Sequence, residues 1–289
     1  MVVAAPHVNR NTADQVLAFV ADHAPDVAAG VVDLDGLRRF RGGALDVLDA
    51  DHDPSLRKAL PLHAPLPDLY SDLNQWMLKV LLAAELPPGL VSAPRERSRD
   101  ASQLARNAGV SVMSASRLVR QLKHQGHLEE KGPWLQLVRK EELLERWSAA
   151  SDRPATELRM RFRPGSDGRT ALGRLVQHPK VCLALFSAAD ALGLGLVRGV
   201  PPYVYARRLE EIGRTVGDQL VPAEAGEAYH VIVRQPRAVE SVFRGMVRRA
   251  NEWVSDVIQV WLDVSFHPSR GEEQAARIYH KLLAPIIDA

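Results

Sequence analysis

The stretch that decides the fold is residues 101–138, which read ASQLARNAGVSVMSASRLVRQLKHQGHLEEKGPWLQLV. Its first seven residues have the apolar spacing of a short helix, and Gly109 then suits a turn that needs positive φ. Ser111 is a favourable cap for a second helix, because its hydroxyl accepts a bond from an otherwise unpaired backbone N–H. That helix should run to about Gln125 and stop at Gly126. The pattern therefore predicts two short helices joined by a tight turn.

A hairpin is predicted directly after the second helix. Residues 127–130 and 134–138 read as short strands around Lys131-Gly132-Pro133, and residues 73–85 read as an earlier amphipathic helix. This order of helix, helix–turn–helix and hairpin is typical of a winged helix-turn-helix. The alternative is an ordinary helical hairpin with a solvated polar face. The predicted apolar stripe of the second helix consists of Ala115, Leu118, Val119 and Leu122.

The opposite face of that helix carries the candidate DNA contacts. A recognition helix places its first residues at base edges in the major groove and its basic residues near phosphates. Ser114, Arg117 and Gln121 are therefore expected at or near bases. The full candidate set is Ser111, Met113, Ser114, Arg117, Arg120, Gln121, Lys123 and Lys131, with Arg97 and Arg99 from the preceding loop. Arg97, Arg99, Arg120, Lys123 and Lys131 are the expected phosphate contacts.

Charge is distributed unevenly along the chain, although the net charge is only +2. Residues 1–75 carry six Lys/Arg against eleven Asp/Glu, whereas residues 95–163 carry fifteen against nine. The basic excess thus coincides with the predicted winged helix and its flanks, among them Arg95 and the alternating residues Leu158 to Arg163. Neutralising phosphates and releasing counterions supplies most non-specific DNA affinity, so this distribution favours DNA binding.

Composition excludes several other classes of protein. A 46% hydrophobic and 25% charged content is ordinary for a globular protein, and no apolar run approaches the roughly 20 residues that span a bilayer. Residues 1–10 lack the basic region followed by an apolar region that is typical of a secretory signal, so none is expected. Cys182 is the single cysteine, which excludes an internal disulfide. We therefore expect a cytoplasmic protein without membrane contact. No metal or cofactor is predicted, because His52 and His63 lack metal-ligand spacing.

The parts on either side of the winged helix suggest an α+β multidomain protein. Residues 1–67 are predicted to form a small α/β region and a Pro-rich linker, residues 70–150 the winged helix, and residues 151–289 a mixed α/β domain. In the first region, Asn11 or Thr12 is expected to cap a helix ending near His23, followed by strands around an Asp35-Gly36 turn. The linker is placed at residues 49–67.

The C-terminal domain is predicted to alternate strands and helices. After the wing, a helix over residues 139–150 should turn Arg139, Lys140 and Arg146 outward. Ser187 is expected to cap a helix after a strand at residues 181–186. Further strands are predicted at residues 203–206 and 229–233, and further helices at residues 258–266 and 272–283.

The chain resembles AbiEi-type antitoxins and transcriptional regulators of type IV toxin–antitoxin systems over about residues 70–285. The most specific matches are DVIQVWLDV at residues 256–264, similar to a D-x-x-Q-x-x-L-D segment, and RGEEQA at residues 270–275. KEELLERW at residues 140–147 and FSAADALG at residues 186–193 are also similar to the family. Residues 1–67 match less well. The resemblance implies a DNA-binding, prokaryotic repressor that opposes a nucleotidyltransferase-like toxin and performs no catalysis itself.

Three function classes follow, in order of preference. The first is a sequence-specific double-stranded DNA-binding regulator, which would be nucleoid-associated when bound. Whether it forms a homodimer and whether it has a toxin partner are left open. A protein-interaction module that neutralises a toxin, or a stress-response or mobile-element regulator without a toxin, is the alternative. The last is a metal-dependent enzyme using Asp33 and Asp35 or Asp256 and Asp263. A helix cap for Asp256 and an Asp263–Arg270 ion pair are the simpler structural explanations.

Overall fold

The computed structural model describes residues 1–5, 7–53, 68–152, 155–165, 167–213 and 220–287, with only the backbone of Glu130, Lys131 and Glu211. The chain forms two compact units, residues 1–67 and residues 68–289. Helices and several sheets are present, which confirms the α+β class. Most of the predicted linker, including His63, lies outside the described residues.

The N-terminal unit is a small three-stranded sheet with one helix. Its elements are β1 (Val2–Ala5), α1 (Arg10–His23), β2 (Ala29–Asp33), β3 (Arg38–Arg41) and a 3-10 helix at Leu45–Leu48. β1 pairs parallel to β2, and β2 pairs antiparallel to β3. The predicted capping residue of α1 is wrong, because Asn9 accepts the Thr12 N–H at 2.8 Å and thereby starts the helix two or three residues earlier. The pattern did not predict β1.

The hydrophobic core of this unit is small. Among the described residues, Ala13, Val31 and Leu37 form one buried cluster against which the partly buried Val8, Val16 and Leu17 pack, and Val20 and Ala29 are also buried. Such a core supplies little of the free energy that a unit of this length needs to stay folded.

The three helices and the hairpin predicted for a winged helix-turn-helix are present at the expected place, and this segment is called the winged helix below. It comprises α2 (Asp72–Leu82), α3 (Ala101–Ala108), α4 (Val112–His124), β4 (Leu128–Lys131) and β5 (Trp134–Leu137). β4 and β5 pair antiparallel as a hairpin. Helix α2 begins one residue and ends three residues before its predicted limits. The other boundaries differ by a single residue, because local capping and turn signals define them.

A seven-stranded mixed sheet dominates the remainder of the chain. The elements are α5 (Lys140–Ser151), β6 (Thr156–Phe162), α6 (Gly168–Leu175), β7 (Val181–Ala184), α7 (Leu185–Ala191), β8 (Tyr203–Ala206), a 3-10 helix at Leu209–Glu211, β9 (Leu220–Pro222), β10 (Val231–Gln235), α8 (Val239–Gly245), β11 (Val247–Arg249), β12 (Glu252–Val254), α9 (Val257–Ser265), α10 (Gly271–Ile278), a π-helical turn at Tyr279–Leu283 and α11 (Ala284–Ile287). The strand order is β11-β12-β7-β8-β10-β6-β9. β7 and β12 pair parallel, as do β8 and β10.

Three predicted boundaries in this part of the chain are wrong. Helix α7 begins at Leu185, so Ser187 lies inside it, where its Oγ accepts the Tyr203 N–H at 3.3 Å. The strand expected at residues 229–233 lies two residues later, at Val231–Gln235. The predicted last helix, residues 272–283, is regular only to Ile278, and a π-helical turn follows.

A single large hydrophobic core extends through the described residues of 68–289. Its buried members extend from Leu69, before α2, to Ile286 in α11, and include side chains of the winged helix and of both faces of the large sheet. The predicted boundary between residues 150 and 151 therefore falls within a single compact unit.

Candidate nucleic-acid interface

The turn between α3 and α4 is built by the residues that predicted it. Gly109 adopts a left-handed conformation with φ of +60°, which costs a residue with a side chain more than it costs glycine. The Val110 N–H then donates to the Ala105 carbonyl at 3.0 Å. Ser111 Oγ accepts the Ser114 N–H at 3.1 Å, which confirms the predicted cap. Local chemistry thus fixes how α4 leaves α3.

The same turn is also held by side chains from outside the helix pair. Trp76 of α2 donates from Nε1 to the Ala108 carbonyl at 2.7 Å. Arg244 of α8 donates from Nη1 to the carbonyls of Ala108 and Gly109 at 3.1 and 3.2 Å, while its Nε bonds Glu240 at 2.9 Å. The carbonyl end of α3 is therefore fixed by the first helix and by the C-terminal part of the chain.

Helix α4 has two contrasting faces. Its buried residues are the predicted stripe Ala115, Leu118, Val119 and Leu122. The opposite face is exposed and carries Val112, Met113, Arg117, Arg120, Lys123 and His124. A helix that buries one stripe and presents cations on the other has the arrangement that a recognition helix requires.

The candidate residues at the start of α4 fall into two groups. The hydroxyls of Ser111 and Ser114 lie 2.9 Å apart and serve the cap, so neither points freely to solvent. Met113 is 64% exposed. Arg117 is exposed, and its Nη2 lies 3.2 Å from the Met113 Sδ. The structure thus brings Met113 and Arg117 together as the projecting pair of the first two turns.

The remaining candidates lie along α4 and beside the wing. Arg120 and Lys123 are exposed, whereas Gln121 is half-buried. Arg97 is exposed in the loop before α3, and Arg99 stacks over the Trp134 ring of β5 at 5.1 Å. The Leu135 N–H donates to the Ser98 carbonyl at 2.8 Å, which attaches this loop to the wing. The side chain of Lys131 lies outside the described residues.

Several other arginines of the predicted basic region bind groups within the protein. Arg95 donates to the carbonyls of Leu86 and Ala84 just beyond the C-terminal end of α2, at 2.6 and 3.2 Å. On β6, Arg159 lies over the Tyr229 ring and Arg161 pairs with Glu227 at 3.0 Å. The positive charge of the β6 arginines is therefore partly neutralised.

Lys140 does not face outward, contrary to the prediction. It is 5% exposed and bonds Glu85 at 2.8 Å and the Ile286 carbonyl at 2.6 Å. Arg139 donates from Nε to the Gly126 carbonyl at 3.0 Å, so it caps the end of α4. These bonds tie the segment after the wing to α2, α4 and α11.

His127 occupies the junction of α4 and the wing. It is fully buried, its Nε2 lies 3.3 Å from Arg146 Nη1, and its Nδ1 has no bond to any described residue. Burial, together with the charge of Arg139, lowers the pKa of His127. The imidazole is therefore expected to remain neutral near pH 7.

A cleft of about 700 Å³ lies between the start of α2 and the C-terminal part of the chain. Polar residues from both parts line it: Gln75, Glu157, Tyr205, Arg234, Asp263 and His267. Arg234 pairs with Glu157 and lies 4.6 Å over the Tyr203 ring. Concave sites that gather titratable groups are candidates for ligand binding, and the sequence pattern did not predict this one.

Asp263 is the most perturbed acid of this cleft. Burial raises its pKa to about 6, although bonds from Gln259 and Tyr205 to its Oδ1, each of 2.8 Å, act in the opposite direction. Its Oδ2 has no partner among the described residues. The expected Asp263–Arg270 ion pair is wrong, because Arg270 pairs with Glu273 in the next turn. Asp256 does cap α9, as predicted, by accepting the Gln259 N–H at 3.0 Å.

A second group of polar residues, in the N-terminal unit, was also not predicted. His7, Asp33, Asp35 and His52 place one ligand atom each within 4.8 Å of one another. The weaker hypothesis of an Asp33/Asp35 site named two of them, but nothing in the spacing of the histidines indicated that they would join.

Comparison of this chain with protein-family models, curated proteins and solved structures found no match. Among the described helices, none combines the length and the apolar character that crossing a bilayer demands. The geometry of the chain itself therefore carries the functional argument.

Proposed function

We propose that this protein is a sequence-specific double-stranded DNA-binding transcriptional regulator of the repressor type, similar in role to AbiEi antitoxins. The observation that carries the proposal is the exposed cationic face of α4, set opposite a fully apolar stripe on a Ser-capped helix. An α-helix fits the major groove, where side chains near its N-terminus reach base edges.

The exposed residues of α4 suggest which side chains would contact bases. Arg117 is the best base-contacting candidate, because a guanidinium can bond guanine through two N–H groups at once. Met113 beside it can supply apolar contact to a base. Ser114 and Gln121 remain candidates for contacts at or near bases. The Ser114 hydroxyl would have to give up its hydrogen bond to the Ser111 hydroxyl in order to reach a base.

Phosphate contacts are assigned to Arg120 and Lys123 of α4 and to the wing. Arg99 is held against Trp134, so its position is fixed before DNA arrives. Arg97 lies in the same loop, and Lys131 in the hairpin completes the proposed set. Pre-positioned cations of this kind fix the register of a protein on the duplex without reading sequence.

The experiment that tests the proposal uses the full-length chain and genomic DNA fragments. Bound fragments are recovered, a common site is derived, and affinity for that site and for a random duplex is measured at several salt concentrations. We expect tight binding to the common site, with log K falling linearly against log salt. Two half-sites about one helical turn apart would show that a dimer binds.

The opposite result assigns the chain to another class. Absence of DNA binding at low salt would contradict the proposal and favour the protein-interaction role, in which the chain captures a toxin. A cognate toxin remains a proposed partner, supported by the sequence resemblance. We assign no catalytic step to this chain and place it in the cytoplasm, at the nucleoid when bound.

A further inference from the structure

The polar cluster of the N-terminal unit has the composition of a metal site. His52 Nε2 lies 2.9 Å from Asp33 Oδ2, and His7 Nδ1 lies 2.6 Å from Asp35 Oδ2 and 3.8 Å from Asp33 Oδ2. The two imidazole rings are stacked, with centroids 5.2 Å apart. Four donor atoms from two histidines and two aspartates therefore surround one small volume.

The topology of the unit explains why these residues meet. β1 and β2 are parallel, so their C-terminal ends lie at the same edge of the sheet. His7 follows β1 there, and Asp33 ends β2 shortly before Asp35. The chain beyond β3 returns to this edge, where the Asp53 N–H donates to the Asp35 carbonyl at 2.9 Å and brings in His52. The C-terminal ends of β1 and β2 and the segment after β3 therefore meet at the cluster.

Asp33 is held in place by the backbone. Its side chain is fully buried, and Oδ1 accepts the N–H groups of Asp35 and Leu37 at 2.9 Å each. Oδ2 accepts the Val8 N–H at 3.0 Å and is left facing the two histidines. A ligand whose second oxygen is fixed by the main chain matches the outer-shell support that metal-bound carboxylates receive.

We propose that His7, Asp33, Asp35 and His52 bind one Zn²⁺ ion that stabilises the N-terminal unit. Imidazole nitrogens and carboxylate oxygens are zinc ligands, and structural zinc sites have four protein ligands in tetrahedral geometry. Two carboxylates and two neutral imidazoles also balance the charge of a divalent ion. This inference does not depend on the proposed DNA binding.

The distances suit such an ion after small side-chain rotations. Zinc bonds of about 2.0–2.2 Å place tetrahedral ligand atoms about 3.3–3.6 Å apart. Three histidine–aspartate pairs of donor atoms here are 2.6, 2.9 and 3.8 Å apart, on either side of that range, and all four atoms lie within 4.8 Å of one another. Both histidine side chains are partly exposed, at 56% and 35%, so they can move and an ion can enter.

The small core of the unit gives the ion a physical role. The described part of this unit buries only five hydrophobic residues, three of them in one cluster, and small domains of this kind commonly depend on a metal or a disulfide. The chain's single cysteine is Cys182, in the other unit, so no disulfide can form within the N-terminal unit. Metal binding to residues that come together only on folding contributes directly to the free energy of folding.

The test uses the full-length chain with any affinity tag removed and with metal stripped by a chelator. Zn²⁺ is titrated by calorimetry, and Co²⁺ is used in parallel because its visible spectrum reports the number of ligands. We expect one ion per chain and a four-coordinate Co²⁺ spectrum. We also expect slower amide hydrogen exchange in β1–β3 when Zn²⁺ is present, because only the folded unit assembles the site.

Variants of the exposed histidines complete the test, because they leave the buried Asp33 turn intact. His7→Gln and His52→Gln should each weaken Zn²⁺ binding at least tenfold, whereas His23→Gln, on the exposed end of α1, should bind like the parent. Failure of the parent to bind one Zn²⁺, or binding that neither His7→Gln nor His52→Gln weakens, would overturn the proposal and leave a hydrogen-bonded cluster.

Discussion

Lys79 and Asp256 form an ion pair of 2.8 Å between Nζ and Oδ2, and neither side chain is exposed to solvent. Lys79 belongs to α2, the first helix of the winged helix, and Asp256 caps α9, 177 residues later. Lys79 Nζ also donates to Gln259 Oε1 at 3.1 Å. The winged helix is therefore joined to the C-terminal part of the chain through a buried charge as well as through a shared hydrophobic core.

This pair makes Lys79 a strong test of the shared core. Lys79→Met keeps the volume of the side chain but leaves the Asp256 carboxylate buried without its cation. Removing one partner of a buried pair typically costs about 3–5 kcal/mol, which we expect as the loss in free energy of unfolding by denaturant. Arg270→Ala breaks an exposed pair and is the control. A Lys79→Met midpoint equal to that control would contradict the interpretation.

Asp263 should make stability fall as the pH rises. Its folded-state pKa of about 6 lies above the ordinary aspartate pKa of 3.8, so the folded state holds the proton more strongly. The stabilisation from that proton is complete below about pH 4 and disappears as the pH passes 6.

Asp263→Asn should remove this dependence. Its amide oxygen can still accept the bonds from Tyr205 and Gln259, so we expect a gain of about 1–3 kcal/mol at pH 8 that vanishes near pH 4. Denaturant unfolding at the two pH values measures it. An equal difference between variant and parent at both values would show that the acid is not responsible.

His127 predicts acid sensitivity at the junction of α4 and the wing. Its pKa is lowered in the folded protein, so below about pH 6.5 the unfolded chain binds the proton more readily. Stability is therefore complete above that pH and is lost as the pH falls toward the folded-state value. The loss between pH 7.5 and 5.5 should be smaller in His127→Phe than in the parent, measured by thermal unfolding. Equal losses would exclude His127 as a cause.

Local signals were sufficient to predict the helix–turn–helix. Gly109, Ser111 and the apolar spacing of α4 act within a few residues of each other, so the turn could be predicted locally, although Trp76 and Arg244 also hold it in the fold. The boundary at Leu185 was not predictable in this way. The run at residues 181–186 is apolar throughout, and burial on all sides removes the periodicity that separates a strand from a helix.

Non-local pairing explains what the sequence did not indicate about the sites. His7 and Asp33 meet because β1 pairs parallel to β2, and β1 is a strand of only four residues. The role of Lys79 was not predicted, because its partner Asp256 lies 177 residues later in the chain. Likewise, Asp263 was assigned to Arg270 because they are close in sequence, whereas Tyr205 and Gln259 bind it in the fold.

The most direct measurement of the central claim compares Arg117→Ala with Arg277→Ala on the captured DNA site and on a random duplex. Both variants remove one exposed arginine, but Arg277 lies on α10 and not on α4. We predict that Arg117→Ala loses about 1–3 kcal/mol on the captured site and much less on the random duplex, so that specificity falls. Arg277→Ala should bind both like the parent. Equal losses for Arg117→Ala on the two duplexes, or no loss on either, would contradict the assignment of α4 as the element that reads DNA.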